Sequence, residues 1–326
     1  MDIPRRRLLK LAATAAIATT VPQRAPALDY PTRPVRVIVP FAPGGPTDVF
    51  GRLLVQKLTD YFGKQFYVEN IVGAGGNIGT GRAAKAAPDG STILIVASPY
   101  VVNPALFAKV PYDPSKDFDP VTLAVTTPMV VAVHPSLQMI TLKDLIALIK
   151  ANPGKLSYAS GGTGSPGHLV GAQFRLLLGL DLVHVPFNSA GLAVGSAVGG
   201  HTPISIVAPA PTVSQVQQGK LRALAVMSKT RVPALPHVPT MAEAGYPDIQ
   251  GENWFGVVVP AGTPTKIITL LNREIVKIVM ASDMKKRLIA LGLHPVASTP
   301  DEFAAQIKTE IPMWEKIIRE AGIKVE

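Results

Sequence analysis

Cysteine is absent from all 326 residues, which excludes both a disulfide framework and a thiolate-held metal. Histidine is scarce, at positions 134, 168, 184, 201, 237 and 294. No two of these stand four apart on a helix and none sits in a carboxylate ligand pattern, so no metal site is expected. Runs of Lys and Arg interleaved with aromatics are missing, and no nucleic-acid partner is expected despite a formal charge of +10. No tandem repeat of solenoid length is present. Past the N-terminus no apolar stretch approaches the roughly 20 residues that cross a bilayer.

What is present is a globular composition, 47% apolar and 17% charged, in a chain long enough for two domains. Residues 1–27 read as an export leader. "PRRRLLKLAATAAIATTVPQRAPA" places a basic segment before a modest apolar stretch, then Ala25-Pro26-Ala27 as a small-residue cleavage site. Arg5-Arg6 followed by Leu8-Leu9 is similar to the twin-arginine pattern. Arg5, Arg6, Arg7, Lys10 and Arg24 against Asp2 account for +4 of the charge, leaving about +6 after cleavage. The expectation is a periplasmic protein whose mature form begins near Leu28.

The remainder alternates strand with helix, the pattern of mostly parallel sheets flanked by helices. Apolar strand-length runs stand at 35–40, 66–70, 91–98, 156–160, 182–187, 203–208 and 221–227. Thr141 and Asp144 have capping-box spacing before a helix with Leu142, Leu145, Ile146 and Ile149 on one face. Thr263-Pro264 is expected to cap a helix striped by Ile267, Leu270, Leu271, Ile275, Ile278 and Val279. Thr299 to Glu302 is a second capping box, before a helix expected to break at Pro312.

One unit recurs: apolar strand, glycine-rich turn, helix. It stands at "VRVIVPFAPGGPTDVFGRLLVQKL" (35–58) and at "LSYASGGTGSPGHLVGAQFRLLLG" (156–179). Turns of this kind leave backbone N–H groups at a helix start, where the helix dipole favours negative charge. Thr47, Ser160, Thr163 and Ser165 add short hydroxyl donors. Asp48 would repel a bare anion, so it is expected to order its turn or to hold a bridging water.

Six segments, in order, carry a family resemblance: "YPTRPVRVIVPFAPGGPTD", "ENIVGAGGNIGTGRAAKAAPDGSTILI", "NPGKLSYASGGTGSPGHL", "HVPF", "GKLRALAVMSKTRVPALPHVPTMAEAGYPD" and "WFGVVVPAGTP". Together they resemble the extracytoplasmic solute receptors of tripartite tricarboxylate transporters, the Bug family. The resemblance implies an α/β, two-domain type II periplasmic-binding-protein fold, each domain a mostly parallel sheet flanked by helices, with the ligand cleft between them. Residues 28–126 plus 252–326 would form the first domain and 127–251 the second. It further implies that ligand carboxylates are held by backbone amides and waters of the two turns. On this chain these are Ala42, Gly44, Gly45, Thr47 and Asp48 on one side, and Ser160, Gly161, Thr163, Gly164 and Ser165 on the other. Ser98 and Asn103 belong to a third loop near the cleft, and His168 is within reach of a carboxylate.

The chain departs from the family pattern after "HVP". Phe187 keeps the aromatic, but Asn188 replaces a lysine, Ser196 replaces an acid, and an apolar stretch near Val207 stands where an aspartate is usual. A less charged cleft suits a mono- or dicarboxylate with an apolar or aromatic body. "GAGGNIG" at 73–79 misses the dinucleotide spacing and reads as a surface turn with a helix start, so no cofactor is expected. Thr163 stands where a nucleophile elbow needs glycine, which makes Ser165 a poor catalytic serine.

The sequence therefore leads to a monomeric, non-enzymatic receptor that captures a small organic carboxylate. It would deliver this ligand to the membrane permease subunits of a tripartite tricarboxylate transporter. A sensory module for a signalling partner is the alternative, and a hydrolase using Ser165 or His168 a weaker one.

Overall fold

The computed structural model describes residues 29–249 and 251–323. The leader over 1–27 lies outside them. From Pro31 onward the chain forms one compact unit. In chain order its strands are β1 (Val35–Val39), β2 (Phe66–Asn70), β3 (Thr92–Ala97), β4 (Phe118–Pro128), β5 (Val130–Val133), β6 (Ser157–Ser160), β7 (Val183–Pro186), β8 (Ile204–Val207), β9 (Arg222–Val226), β10 (Glu252–Pro260) and β11 (His294–Pro295). The α-helices are α1 (Pro46–Phe62), α2 (Asn77–Ala84), α3 (Pro99–Leu106), α4 (Leu142–Ala151), α5 (Pro166–Leu178), α6 (Ala190–Val198), α7 (Pro209–Gln217), α8 (Thr265–Met280), α9 (Ser282–Ala290) and α10 (Pro300–Ala321).

Two sheets result, ordered β11-β4-β10-β3-β1-β2 and β7-β6-β8-β5-β9. Within the first, β1 runs parallel to β2 and β3, while β10 runs antiparallel to β3 and β4. Within the second, β6 is parallel to β7 and β8, and β5 is antiparallel to β8 and β9. The interior strands β1, β3 and β8 are near-continuous apolar runs and almost wholly buried, whereas the edge strands β2 and β7 carry polar residues and are partly exposed. The chain crosses between the sheets twice, after β4 and before β10. The two crossings are tied at Met129, whose N–H donates to Gly251 O (3.0 Å) and whose carbonyl accepts from Met227 N–H (2.8 Å).

Helix α1 follows β1 directly because Gly45 takes an extended backbone and Pro46 fills the first helical position, where no N–H is needed. Phe50, Leu53, Leu54 and Leu58 bury its inner face, each contributing about 1.5–3 kcal/mol. Gly63, at φ 63°, ends it with an N–H bond to Thr59 O. Both expected capping boxes, Thr141/Asp144 and Thr299/Glu302, are formed.

Two expectations fail. Thr263 does not cap α8; its hydroxyl donates to Pro260 O at 2.6 Å, which fastens the turn instead. Helix α10 runs unbroken through Pro312. Pro312 is exposed, so the carbonyl that loses its N–H donor turns to water, while Phe303, Ile307, Trp314, Ile317 and Ile318 anchor both halves in the core. The 73–79 segment is a surface turn and a helix start as expected, with Ala74, Gly75 and Ile78 exposed, while Gly76, Asn77 and Gly79 are buried beneath it. A Cβ at Gly79 would lie 2.5 Å from Ile71 O, so the glycine permits close helix–strand approach.

Candidate functional site

Both recurring units place a glycine-rich turn at the carboxyl end of a parallel strand, the position where open α/β sheets bind ligands. In the first, Gly44 sits at φ 79°, a conformation open to glycine and strained for other residues. Its N–H donates to Asp48 Oδ2 at 2.8 Å, and the Gly45 N–H donates to Ala42 O at 3.3 Å. These two amides, named from the sequence as ligand donors, are turned into the loop. The N–H groups of Thr47 and Asp48, in the first turn of α1, find no acceptor among the described residues.

Asp48 is 1% exposed. Besides the Gly44 N–H, its carboxylate accepts Arg52 Nε and Asn70 Nδ2, each at 2.8 Å. Burial alone would raise its pKa; the hydrogen bonds from Arg52, Gly44 and Asn70 outweigh that and hold it below the usual carboxylate range. Asn70 also donates to Phe41 O at 3.0 Å. The carboxylate organises the turn and its acceptor sites are occupied there.

In the second unit Ser165 caps α5, its side chain accepting the His168 N–H at 3.3 Å. Ser165 N–H closes the loop on Gly162 O, Gly162 N–H donates to Ser160 Oγ at 3.2 Å, and Gly164 N–H donates to His168 Nδ1 at 3.0 Å. The Gly164 contact fixes the neutral imidazole with its proton on Nε2. The amides of Gly161, Thr163 and Gly167 have no acceptor among the described residues. Thr163 is exposed, Gly161, Gly164 and Ser165 are half-buried, and Ser160 is fully buried.

The turn rests on a pair of stacked imidazoles. His168 and His184 lie with ring centroids 3.8 Å apart, and His184 Nε2 is 2.7 Å from Ser160 Oγ. Burial, then the Arg175 charge, lowers His168 to about 4. Burial, then His168 and Arg175, lowers His184 to about 3. Both rings are neutral near pH 7, and a base this weak does not activate Ser160. Ser165 Oγ accepts a backbone N–H and His168 Nδ1 is taken by Gly164, so that pair is not arranged as nucleophile and base either.

Of the other residues named from the sequence, Ser98 is buried and donates to Asn253 Oδ1 at 2.7 Å. Buried Asn103 donates to Gly75 O (3.0 Å) and Asn77 Oδ1 (2.7 Å), fastening the 73–77 segment to α3. Phe187 is half-buried and its N–H donates to Ser160 O at 3.0 Å, so it borders the second turn; Asn188 is exposed. Ser196 Oγ bonds Thr202 Oγ1 at 3.0 Å, and Val207 is buried at the end of β8. No hydrogen bond among those described joins the first turn to the second. His184 and Arg175 were not found by sequence reasoning. Arg175, seven residues after His168 and so on the same helix face, was the available signal.

A family model for the tripartite tricarboxylate transporter family receptor matches residues 50–323. BugT of Bordetella pertussis is 40% identical over 316 residues, covering 96% of either chain. Rpa4515 of R. palustris, solved with adipate, is 33% identical with a TM-score of 0.75, covering 91% of this chain and 99% of that one. MatC of Rhodopseudomonas palustris, solved with bound malate, is 33% identical with a TM-score of 0.71, covering 89% and 100%.

Proposed function

The chain belongs to the tripartite tricarboxylate transporter receptor family, and we propose that it captures a small organic carboxylate between its two turns and delivers it to the permease subunits of such a transporter. The observation that carries this reading is the pair of strand–turn–helix units with unclaimed N–H groups, Thr47 and Asp48 on one sheet, Gly161 and Thr163 on the other. Amide dipoles held in place replace the hydration of a carboxylate without adding a full positive charge. The lobes that close on the ligand are residues 28–126 with 252–326, and 127–251, hinged at the crossings near Met129. A few charge-assisted hydrogen bonds at roughly 1.5–3 kcal/mol each, with burial of the ligand body, reach the about 8 kcal/mol of micromolar binding.

The adipate and malate of the two relatives set the class of acid to try. Asn188, Ser196 and Val207 favour an acid with an apolar or aromatic body over a polyanion. No helix among the described residues is long and apolar enough to cross a membrane. The receptor acts as a monomer in the periplasm, exported by the twin-arginine route.

Calorimetry tests this with adipate, malate and benzoate, alongside mass spectrometry of any acid released from the purified protein. One of these acids, or the released one, binds with micromolar affinity and is recovered unchanged. Gly161→Leu, whose side chain would meet the Ala190 backbone (3.3 Å from the Cβ position), weakens uptake by about tenfold or more. Full-strength uptake in that variant, or conversion of the acid to a product, overturns the reading.

A further inference from the structure

Ser98 gives its hydroxyl proton to Asn253 Oδ1, at 2.7 Å. Asn253 stands near the start of β10, two residues past Gly251, where the chain returns from the second sheet to the first. β10 runs antiparallel to β3, with Phe255 opposite Ala97, and β3 runs parallel to β1. The start of β10 therefore lies at the carboxyl end of β3, on the same sheet edge as the first anion turn.

Side chains alternate along a strand, so Asn253 shares a face with Phe255 while Trp254 takes the other. Phe255 stacks on Phe50 with ring centroids 6.3 Å apart, which identifies this face as the one that α1 covers. From Phe255 to Asn253 the strand advances about 7 Å toward the carboxyl edge. From Phe50 back to Thr47 the helix advances about 4.5 Å in the same direction. Asn253 is thus brought toward the start of α1, where the Thr47 and Asp48 amides are unclaimed. Thr127 joins it, because Thr127 stands directly opposite Asn253 in the antiparallel pair of β4 with β10 and shares its face.

Asn253 Nδ2, Thr127 Oγ1 and Thr47 Oγ1 have no hydrogen-bond partner among the described residues. Thr127 is 7% exposed and Thr47 6%, and Asn253 is half-buried. None of the three atoms is sealed inside the protein; the unpartnered side-chain atoms that are sealed are Gln173 Oε1, Arg175 Nε and Ser205 Oγ. Polar groups this deep ordinarily have partners, and here the open side of the sheet edge must supply them. The Ser98 bond also fixes the amide: its oxygen is taken, so its nitrogen is the free donor. A free amide donor beside a hydroxyl that both gives and accepts matches an alcohol, which takes one hydrogen bond and gives one. A carboxylate accepts only and would leave the acceptor side of Thr127 unused.

Resting on the proposed function, we propose that Asn253 and Thr127 are specificity residues that read a hydroxyl on the carbon next to the bound carboxylate, so that the receptor prefers 2-hydroxy acids to their deoxy analogues. The Thr47 and Asp48 amides take the carboxylate, Asn253 Nδ2 donates to the alcohol oxygen, and Thr127 Oγ1 accepts the alcohol proton. Ser98 is a positioning residue, acting through Asn253. A site built to hydrogen-bond a hydroxyl rejects the analogue that lacks it, because its own polar groups are then left unpaired.

Calorimetry with two matched pairs tests this, malate against succinate and mandelate against phenylacetate, each pair differing by that one hydroxyl. In at least one pair the hydroxy acid binds about tenfold or more tightly than its analogue. Thr127→Val, which keeps the shape and removes the hydroxyl, and Asn253→Ala each bring the preference severalfold closer to parity. Ser98→Ala, which frees the amide to turn, moves it the same way. Each preference is a ratio measured within one sample, so partial misfolding lowers the stoichiometry and leaves the ratio as it is. Equal affinities within both pairs in the unaltered protein, or a preference that survives in either Thr127→Val or Asn253→Ala, overturns the inference. Uptake of adipate or benzoate with no binding of either hydroxy acid also overturns it and leaves the proposed function standing. Absence of binding by every one of these acids, with none released from the purified protein, overturns both.

Discussion

His168 and His184 stack face to face, centroids 3.8 Å apart and planes within 6°, although one opens α5 and the other lies on β7. The stack holds the second turn through two atoms, Nδ1 of His168 on the Gly164 N–H and Nε2 of His184 at Ser160 Oγ. Both rings titrate far below the histidine value of 6.5, at about 4 and about 3. The unfolded chain therefore binds two protons that the folded chain refuses once the pH drops under that value. Stability is complete above pH 6.5 and is lost as pH falls toward the folded values, by up to about 1.4 kcal/mol per pH unit for each ring. Denaturant unfolding between about pH 7 and about pH 5 measures the slope, and His184→Gln removes about half of it. An unchanged slope in that variant contradicts the account.

Removing the Asp48 carboxylate takes the acceptor from the Gly44 amide and from one Asn70 N–H and frees the exposed Arg52 from the turn. Asp48→Ala lowers stability by about 2–4 kcal/mol, read from the chemical denaturation midpoint. Asp48→Asn recovers part of that, because one oxygen still accepts while the amide nitrogen faces donors.

Gly167 lies where α5 passes closest to β8, and an added Cβ would sit 2.2 Å from Ile206 O. The neighbour is backbone and cannot turn aside. Gly167→Ala destabilises by about 1–3 kcal/mol or more and shifts the start of α5. Thermal unfolding and acid titration both register the change.

Pro312 occupies the exposed interior of an unbroken 22-residue helix. Pro312→Ala restores an N–H to the ladder and raises stability by about 1–3 kcal/mol. The melting temperature rises; a fall would mean that the ring makes a contact worth more than the hydrogen bond it removes.

Elements with a local signature were legible in the sequence. β1 with α1 and β6 with α5 announce themselves by an apolar run, a glycine turn and helical spacing, and Thr141 and Thr299 mark helix starts by short-range bonding. β4 and β5 gave no such sign. "FDPVTLAVTTPMVVAV" lacks alternation and carries Pro120 and Pro128, and β4 tolerates Pro120 because β11 pairs only with Val125 and Thr126 on its outer side. The turn-ordering role of Asp48 could be foreseen from its place beside bare amides. The role of His184 could not, since it needs partners brought from elsewhere in the chain by tertiary packing.

β10 lies between β4 and β3, in the interior of the first sheet, yet the whole second sheet precedes it along the chain. During synthesis β1, β2 and β3 emerge first and must wait, one edge unpaired, until residue 260 has followed. The second sheet, contiguous from Val130 to Val226, has no such dependence. Assembly thus runs out of genetic order: the later-encoded lobe can condense while the earlier one is still missing its keystone, and the non-local pairing of β3 with β10 sets the pace.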